Sequence, residues 1–458
     1  MFGKTKIIHF VGIGGIGMSG MAELLFNLGF SVSGSDKMKS ERTEHLESLG
    51  ISFFEGHSAD NVKNCDVLVY SSAVKLDNPE IIEAHHLNIP VIRRAEMLGE
   101  LLKVKDISIA VGGTHGKTTT SSMLGSILSE ANVNPTLVIG GIVNDVGSNA
   151  LSGSGDVIVV EADEFDRTFL SLQPTMSIIT SIELEHLDCY DNLEDIKNTF
   201  SQFANAVPFY GIVSVCIDDR NVQQILPNIK RPIITYGLTN QADIQAKNIS
   251  YENHHSVFTV YKNLVKLGDV KLNAPGEHNI QNALASISIS LELDIPFVDI
   301  QSGLAKYSGV RRRFEIRNET KSGIMFVDDY AHHPSEVQAT LNAARSGWDK
   351  RIVAVFQPHL YSRTRDFYQD FALAFMHSDV LVVTDVYPAR EEPIDGVSGK
   401  LISDNARTIG HKNVVYVQKK EDLPTKISKI LKPNDIVITM GAGDIWKFND
   451  LIFEELTK

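Results

Sequence analysis

Cysteine and positive charge are both scarce in this chain of 458 residues. Its three cysteines, Cys65, Cys189 and Cys216, are too few and too scattered for a disulfide framework or a zinc cluster. Acidic residues outnumber basic ones by 57 to 43, which gives a net charge of -14. Such a balance argues against a broad surface for nucleic acid or anionic membrane, so anionic small molecules would need local positive sites.

Long apolar runs are missing as well. No stretch reaches the roughly eighteen apolar residues that a membrane span needs. The apolar segment near the N-terminus is interrupted by Gly12, Gly14, Gly15 and Gly17, which is typical of a strand and turn rather than of a signal peptide. We therefore expect a cytoplasmic protein of about two to four domains that has neither nucleic acid nor membrane as a partner.

A strand, a glycine turn and a helix recur along the chain, which favours parallel sheets covered by helices. Strands are predicted at Lys6–Val11, Ser31–Ser33, Asp66–Ser71, Pro90–Ile92, Ile107–Val111, Val157–Glu161, Met176–Thr180, Ile212–Cys216, Ile324–Asp328, Arg351–Phe356, Val380–Thr384 and Asp435–Thr439. Helices are predicted at Met18–Leu28, Ala95–Leu102, Lys117–Ala131 and Asn279–Leu291. The stretch Ile233–Val270 alternates in short segments and predicts a small antiparallel β-excursion.

Two short joints divide the chain into three α/β units. One is the charged stretch Lys103–Asp106, and the other is the basic cluster Arg311–Arg313. We expect domains at residues 1–104, 105–311 and 312–458. No long linker, internal repeat or low-complexity tract separates them, so the domains should be joined closely.

The first glycine loop, Gly12-Ile-Gly14-Gly15-Ile-Gly17, follows a predicted strand and precedes a helix. Glycines there let backbone N–H groups approach a diphosphate, whose charge the helix N-terminus favours. Asp36 lies 19 residues beyond Gly17, where an acidic group would meet a ribose hydroxyl. Taken alone, the loop predicts a nicotinamide-dependent oxidoreductase, or else a glycine turn that only packs strand against helix.

A second glycine loop also lies between a strand and a helix. It consists of Gly112, Gly113, Thr114, His115, Gly116, Lys117, Thr118 and Thr119. Backbone amides would cradle the phosphates of ATP, Lys117 would neutralise charge at the β- and γ-phosphates, and Thr118 would reach Mg²⁺. The strict P-loop pattern has glycine where this chain has Val111, so the loop is a variant. Two phosphate loops favour an enzyme that activates a nucleotide-linked substrate with ATP.

The chain resembles the Mur ligase family over nearly its whole length. The matching segments are HFVGIGGIGMSG (9–20), SSAV (71–74), IPVIRRAEML (89–98), GGTHGKTTT (112–120), EADEFD (161–166), GEHNIQNALA (276–285), GVRRRFE (309–315), DDYAHHPSEV (328–337), FQPHLYSRT (356–364) and DVYPAREEPIDGVSG (385–399). They occur in the family's order.

The resemblance implies a three-domain α/β fold. It consists of an N-terminal Rossmann-like domain that holds UDP, a central P-loop ATPase domain with a mostly parallel sheet, and a C-terminal Rossmann-like domain that closes over both. It also implies a reaction with ATP and Mg²⁺ in which the carboxylate of UDP-N-acetylmuramate becomes an acyl phosphate and is then attacked by L-alanine. We expect a monomer or weak homodimer.

Within the family, one position separates the branches. Later-acting Mur ligases carry a lysine, modified to a carbamate, where this chain has Phe200, fourteen residues after His186; the nearest lysine is Lys197. This favours the alanine-adding branch. A related ligase that attaches a whole tripeptide during cell-wall recycling remains an alternative, as does a nucleotide-binding regulatory module without catalysis.

The resemblance assigns site residues to the matching motifs. The expected catalytic residues are Lys117, Glu161, His186, Arg313 and His332, and Thr118, Glu161 and His186 are the expected Mg²⁺ ligands. ATP contacts are expected from the second loop and from Asn279, Asn282, Arg313, Asp328 and Tyr330. UDP-substrate contacts are expected from Gly12, Gly14, Gly15, Gly17, Asp36, Ser71, Ser72 and Arg94, and L-alanine contacts from His359 and Arg363. Adjacent His332 and His333 should point apart, which argues against a zinc pair.

Overall fold

The computed structural model describes residues 5–71, 73–142, 149–185, 189–389 and 391–457. Within those ranges, no helix is both long and apolar enough to cross a membrane. The chain forms two compact units. The first unit contains residues 1–247, 259–270 and 281–308, and the second contains residues 248–258, 271–280 and 309–458. The first two expected domains lie mainly in the first unit and the third lies in the second.

The N-terminal sheet has five parallel strands, which the structure places at β1 (Ile7–Val11), β2 (Ser31–Asp36), β3 (Ser52–Glu55), β4 (Val67–Tyr70) and β5 (Val91–Arg93). Its helices are α1 (Ile16–Asn27), α2 (Glu41–Leu49), α3 (Pro79–His86) and α4 (Arg94–Leu102). The strand order is β3-β2-β1-β4-β5. The order reverses between β1 and β4, and the crevice beyond the carboxyl ends of such strands is where doubly wound sheets bind ligands.

The central sheet has ten strands: β6 (Ile107–Gly112), β7 (Thr136–Val138), β8 (Ala150–Leu151), β9 (Val157–Glu161), β10 (Met176–Ile179), β11 (Ile212–Cys216), β12 (Ile233–Gly237), β13 (Ile244–Glu252), β14 (His255–Lys262) and β15 (Val265–Leu272). Their order is β15-β14-β13-β12-β11-β10-β6-β9-β7-β8. The accompanying helices are α5 (Lys117–Glu130), α6 (Leu193–Asn205), α7 (Arg220–Ile225), α8 (Glu277–Glu292) and α9 (Phe297–Lys306). Helices α5 and α9 approach closely because Gly303 has no side chain: a Cβ there would lie 2.6 Å from the Cα of Ile127.

The antiparallel β-excursion is smaller than predicted. Strand β12 pairs in parallel with β11, so Ile233–Gly237 belongs to the parallel part of the sheet. The excursion consists of β13, β14 and β15, which are neighbours joined by two-residue connections, and only antiparallel strands allow connections that short. A second antiparallel pair, β7 with β8, was not predicted.

The C-terminal sheet has six strands: β16 (Glu315–Glu319), β17 (Met325–Asp329), β18 (Ile352–Phe356), β19 (Val380–Thr384), β20 (Val414–Val417) and β21 (Ile436–Met440). Its helices are α10 (Pro334–Gly347), α11 (Tyr361–Ala374), α12 (Gly399–Thr408), α13 (Leu423–Ser428) and α14 (Trp446–Thr457). The order is β16-β17-β21-β18-β19-β20, and β16 alone among these strands is antiparallel to its neighbour. Alternate residues of these strands belong to two separate apolar clusters, because successive side chains of a strand point to opposite faces of the sheet.

Each strand and helix predicted outside the excursion is present, with ends that differ by at most three residues. The predicted α/β class with mostly parallel sheets is confirmed.

Candidate active site

The first glycine loop is tied to the end of strand β2. Gly12 has a φ of +81°, and its N–H donates to the carbonyl oxygen of Ser35 at 2.8 Å. A Cβ on Gly12 would lie 3.2 Å from the Cβ of Ser71. The N–H of Gly14 donates to Oδ2 of Asp36 at 2.8 Å. The predicted ribose-binding carboxylate therefore lies against the loop, as the spacing suggested.

Arg94 brings a positive charge to the same loop. A Cβ on Gly17 would lie 2.9 Å from Nη1 of Arg94. Nη2 of Arg94 lies 3.1 Å from Oδ2 of Asp163, in the EADEFD segment. Gly15 precedes the first turn of α1, so a guanidinium and a helix N-terminus both face this region, a combination that suits a diphosphate. Of the expected UDP-site residues, only Ser72 lies outside the described residues.

The second glycine loop has a backbone that only glycine adopts readily. Gly113 has a φ of +138° and Gly116 has a φ of +81°. A Cβ on Gly116 would meet Oδ1 of Asn282 at 2.4 Å, and the same oxygen accepts a hydrogen bond from Thr120 at 3.2 Å. Asn282 thus contacts the loop, whereas the side chain of Asn279 donates to the carbonyl of Pro275 at 2.7 Å within its own turn.

Lys117 is held by anionic and carbonyl oxygens. Its Nζ lies 2.7 Å from Oε2 of Glu164 and donates to the carbonyl of Gly113 at 2.6 Å and of Thr114 at 3.2 Å. Burial would lower the pKa of Lys117, but the charge of Glu164, with Asp163 and Glu161, outweighs it and raises that pKa above its usual value. The lysine is therefore a fixed positive charge at the loop. Glu164 was not among the predicted site residues.

The remaining loop residues are anchored to the chain that follows β10. The N–H of Thr114 donates to the carbonyl of Ser181 at 2.9 Å, and the N–H of His115 donates to the hydroxyl of Ser181 at 3.1 Å. Thr119 is buried in the first turn of α5. These bonds fix the loop before any ligand binds.

Thr118 and Glu161 converge as expected of a metal pair. The Thr118 hydroxyl donates to Oε2 of Glu161 at 2.9 Å, and the N–H of Gly140 donates to the same oxygen at 2.7 Å. A hydroxyl and a carboxylate beside a phosphate-binding loop are the hard oxygen ligands that Mg²⁺ prefers, so these two residues fit the ion. His186, the third expected ligand, lies outside the described residues.

In the second unit, Arg312 of the basic cluster contacts Asp328 and a backbone carbonyl. Its Nε donates to Oδ2 of Asp328 at 2.9 Å and its Nη2 donates to the carbonyl of Gly441 at 2.6 Å. Oδ1 of Asp328 accepts from Thr439 at 2.7 Å. Asp328 is fully buried, so a ribose contact from it requires one of these partners to be exchanged. The Arg312 guanidinium also lies 4.9 Å from the ring of Tyr330.

Arg313 and His332 share one carboxylate, that of Glu336. Nη1 of Arg313 lies 3.6 Å from Oε1 of Glu336, and Nδ1 of His332 lies 3.1 Å from Oε2. The N–H groups of His332 and His333 also donate to Oε2. Glu336 was not predicted as a site residue, although Glu three positions into a helix is a capping-box signal.

Neighbouring histidines in this turn face different partners. Nδ1 of His333 pairs with the Ser335 hydroxyl at 2.8 Å, while the ring of His332 lies 6.0 Å from that of His359. The structure thereby brings an expected catalytic histidine near an expected alanine-binding one. The ring of His359 stacks on Tyr387 at 5.8 Å.

Arg363 lies in the first turn of α11, the helix that begins after Leu360. Leu360 has a φ of +70°, which is strained for a branched side chain. The adjacent Ser362 donates its N–H to Glu391 at 3.0 Å. This sharp entry into the helix places His359 and Arg363 on either side of one turn.

Known protein families match nearly the whole chain. Three family models match consecutive parts of the chain: the Mur ligase family catalytic domain at residues 7–106, the Mur ligase middle domain at 111–290 and the Mur ligase glutamate ligase domain at 312–443. The chain is 50% identical over 458 residues to a UDP-N-acetylmuramate–L-alanine ligase from Trichlorobacter lovleyi, with 100% of both chains covered. The corresponding ligase from Geobacter sulfurreducens is 49% identical, with 100% of this chain and 99% of the relative covered.

Solved structures show the same similarity. A UDP-N-acetylmuramate–alanine ligase from Thermotoga maritima matches with a TM-score of 0.83 and 33% identity over 99% of each chain. A murein peptide ligase from Psychrobacter arcticus matches with a TM-score of 0.71 and 24% identity over 98% of each chain, which is a likeness of fold. The chain therefore belongs to the Mur ligase family.

Proposed function

We propose that this protein is an ATP-dependent ligase that joins L-alanine to the muramyl carboxylate of UDP-N-acetylmuramate, in the synthesis of peptidoglycan precursors. The observation that carries the proposal is that both phosphate-binding loops are built in a chain whose full-length relatives carry that activity in their names. A dehydrogenase would use the first loop, but its reaction would give no role to Lys117, Thr118 and Glu161.

The first chemical step is phosphoryl transfer between anions. A carboxylate oxygen of the substrate attacks the γ-phosphorus of ATP, and the bond to the β-phosphate oxygen breaks to give an acyl phosphate and ADP. Repulsion between these groups must be offset by fixed positive charge. Lys117 supplies it at the second loop when its ammonium exchanges Glu164 for the phosphates. Arg313 is the proposed second charge.

Mg²⁺ would be held by Thr118 and Glu161, with His186 as the proposed third ligand. When bound, the ion screens the charge of the phosphates. The contribution of the chain is to keep the two oxygen ligands adjacent, which the 2.9 Å bond between them already does.

The second step is attack of the alanine amine on the acyl carbon. Phosphate leaves from the tetrahedral intermediate and the amine loses a proton. The proposed acceptor of that proton is Nε2 of His332, whose Nδ1 lies 3.1 Å from Oε2 of Glu336. Arg363 and His359 are the proposed contacts of the alanine carboxylate, because a guanidinium matches a carboxylate in shape and charge.

The tripeptide ligase of cell-wall recycling is the second candidate within the family. We rank it lower because the chain is 50% identical over its full length to a UDP-N-acetylmuramate–L-alanine ligase, but only 29% identical over 67% of its length to a tripeptide ligase. ATP and nucleotide-linked sugars are cytoplasmic metabolites, so we also propose a cytoplasmic location. For the oligomeric state we propose a monomer or weak homodimer.

The test is phosphate release from MgATP and UDP-N-acetylmuramate with L-alanine, glycine, L-serine or L-Ala-γ-D-Glu-diaminopimelate as acceptor. Release that requires UDP-N-acetylmuramate and is fastest with L-alanine supports the proposal. Release with the tripeptide alone assigns the chain to the recycling branch, and release with none of the acceptors refutes the ligase activity.

A further inference from the structure

Glu80 is a fully buried carboxylate in the first turn of α3, outside the residues assigned so far. Polar groups of three other segments surround it. Oε2 accepts from the Ser35 hydroxyl at 2.5 Å and lies 3.2 Å from Nδ1 of His57. Oε1 accepts from the Asn61 amide at 2.6 Å and lies 3.7 Å from Nε2 of the buried His9.

A buried charge of this kind is weak evidence for a contribution to stability. Burial raises the pKa of Glu80, but the nearby imidazole of His9 and the hydrogen bonds from Ser35 and Asn61 outweigh it and lower that pKa to about 2. The group is therefore ionised at neutral pH. Replacing a buried ionic cluster by apolar side chains is often neutral or stabilising, so one use of such a cluster is to specify a single local arrangement.

The arrangement that Glu80 specifies lies directly behind the first glycine loop. Ser35, whose hydroxyl binds Glu80, accepts through its carbonyl oxygen from the N–H of Gly12 at 2.8 Å and of Ile13 at 3.0 Å. The next residue, Asp36, accepts from the N–H of Gly14 at 2.8 Å. One residue thus connects the buried carboxylate to the backbone of the loop.

Two other groups near Glu80 come from β1 and from the segment after β3. His9 is in β1, the strand that leads into the loop, and its Nδ1 pairs with Ser33 of β2 at 2.8 Å. His57 follows β3, and its Nδ1 also lies 3.0 Å from the Ser35 hydroxyl. The carboxylate of Glu80 therefore lies among side chains of β1, β2 and the segment that follows β3.

We propose that Glu80 is a positioning residue for the nucleotide of the UDP-linked substrate: it fixes Ser35 and Asp36, and through them the first glycine loop, in the binding geometry. The inference rests on the proposed function for the identity of the substrate. It assigns Glu80 no contact with substrate and no part in either chemical step. Its loss should therefore weaken binding at the first loop and leave the ATP loop unaffected.

The experiment compares Glu80→Gln, which has the same shape without the charge, with Glu47→Gln as the matched control. Glu47 is in the same sheet domain, and its carboxylate pairs with exposed Lys39 at 2.7 Å. Steady-state phosphate release gives the KM for each of the three substrates, and equilibrium dialysis gives the Kd for UDP alone. For Glu80→Gln we expect the KM for UDP-N-acetylmuramate and the Kd for UDP to rise about tenfold. The KM values for ATP and L-alanine, and kcat, should stay within about twofold.

Thermal unfolding of each variant shows whether it is folded at the temperature of the kinetic measurements. If Glu80→Gln does not fold, Ser35→Ala is measured in its place, because it removes one hydrogen bond to Glu80 and leaves the backbone carbonyl of residue 35 intact. For this variant we expect the same selective rise in the KM for UDP-N-acetylmuramate. An equal rise in all three KM values, or no rise in either Kd or KM, would refute the positioning role. Wild-type protein that binds UDP but releases no phosphate with any acceptor would instead refute the proposed function, while the UDP Kd values still test Glu80.

Discussion

Nζ of Lys117 lies 2.7 Å from Oε2 of Glu164, and both side chains are largely buried. The ammonium that the P-loop motif assigns to the phosphates of ATP is thus already neutralised by a carboxylate three residues after the proposed metal ligand Glu161. Phosphate oxygens and Glu164 cannot both occupy the same donor positions of Lys117 without mutual repulsion. We therefore expect the binding of ATP to exchange one anionic partner of Lys117 for another.

The Glu164→Gln variant tests this exchange. Removing the competing charge leaves Lys117 free to pair with phosphate, so we expect the KM for ATP to fall about threefold. Glu130→Gln is the control. Glu130 ends α5, the helix that Lys117 begins, and its carboxylate pairs with exposed Lys306 at 2.8 Å. An increase in the KM for ATP would mean that Glu164 orients the lysine instead of competing for it.

Lys117 should be essential for transfer and dispensable for binding the UDP-linked substrate. We expect Lys117→Met to lose about a thousandfold in kcat, the scale on which fixed transition-state charges act. Because the substitution removes the cationic partner of the buried Glu164 carboxylate, we also measure the double variant with Glu164→Gln, which carries no unpaired buried charge at this position. Calorimetric titration with UDP-N-acetylmuramate should give an unchanged Kd; loss of that binding would contradict the separation of the two loops.

Glu161→Gln should raise the Mg²⁺ requirement. The amide keeps an oxygen for the N–H of Gly140 but removes the charge that faces the ion. We expect the Mg²⁺ concentration at half-maximal rate to rise about tenfold. The measurement is phosphate release across a Mg²⁺ titration at fixed ATP, and an unchanged midpoint would remove Glu161 from the metal site.

Glu336→Gln should slow catalysis by releasing His332 and Arg313 from their shared partner. We expect kcat to fall about tenfold, the cost of losing a charge-assisted contact. Glu319→Gln is the control, because Glu319 is an exposed residue of the same unit whose carboxylate lies 3.7 Å from Lys350. Equal kinetics for the two variants would show that Glu336 only caps its helix.

His278 should make the protein sensitive to mild acid. Its burial, together with the charge of Arg313, lowers the pKa of His278 from 6.5 to about 4. The native state therefore binds fewer protons than the unfolded state in this range. Stability is complete above pH 6.5 and is lost as the pH falls toward 4, by at most about 1.4 kcal/mol per pH unit.

Urea unfolding of His278→Gln between pH 7 and pH 4.5 checks this. The variant should show a shallower loss of unfolding free energy than wild type over that window. His377→Gln, which changes an exposed histidine of the same unit, should follow wild type. Parallel pH dependence in all three proteins would exclude His278 as the cause.

The parts of the site predicted from sequence are those that local pattern specifies. Glycines between a strand and a helix predicted both loops, and the spacing from Gly17 predicted Asp36 beside the first. Glu164 and Glu80 were missed because their partners Lys117 and Ser35 are distant in sequence. Glu80 meets Ser35 across 45 residues, for example. Glu336 contacts the neighbouring His332 and His333, so the capping-box spacing could have indicated it.

Strand pairing follows the same division. The alternation over Ile233–Val270 predicted short strands, but the parallel pairing of Ile233–Gly237 with β11 is set by tertiary packing, which alternation does not encode. Strand β16, Glu-Ile-Arg-Asn-Glu, escaped prediction because it is a half-exposed edge strand with little apolar content. Buried strands such as β18 and β19, with five buried residues each, were predicted at nearly their observed bounds.

Phe200 is the residue at which the family resemblance predicts a carbamate-bearing lysine in later-acting relatives. It is fully buried, with its ring 5.1 Å from that of Phe169, and the nearby Lys197 pairs with Gln224 and Glu194. A carbamate arises when a free lysine amine captures dissolved carbon dioxide. Because an aromatic ring cannot form a carbamate, we expect this ligase to work without capturing carbon dioxide at that position, and its rate to be indifferent to the bicarbonate supply of the cell.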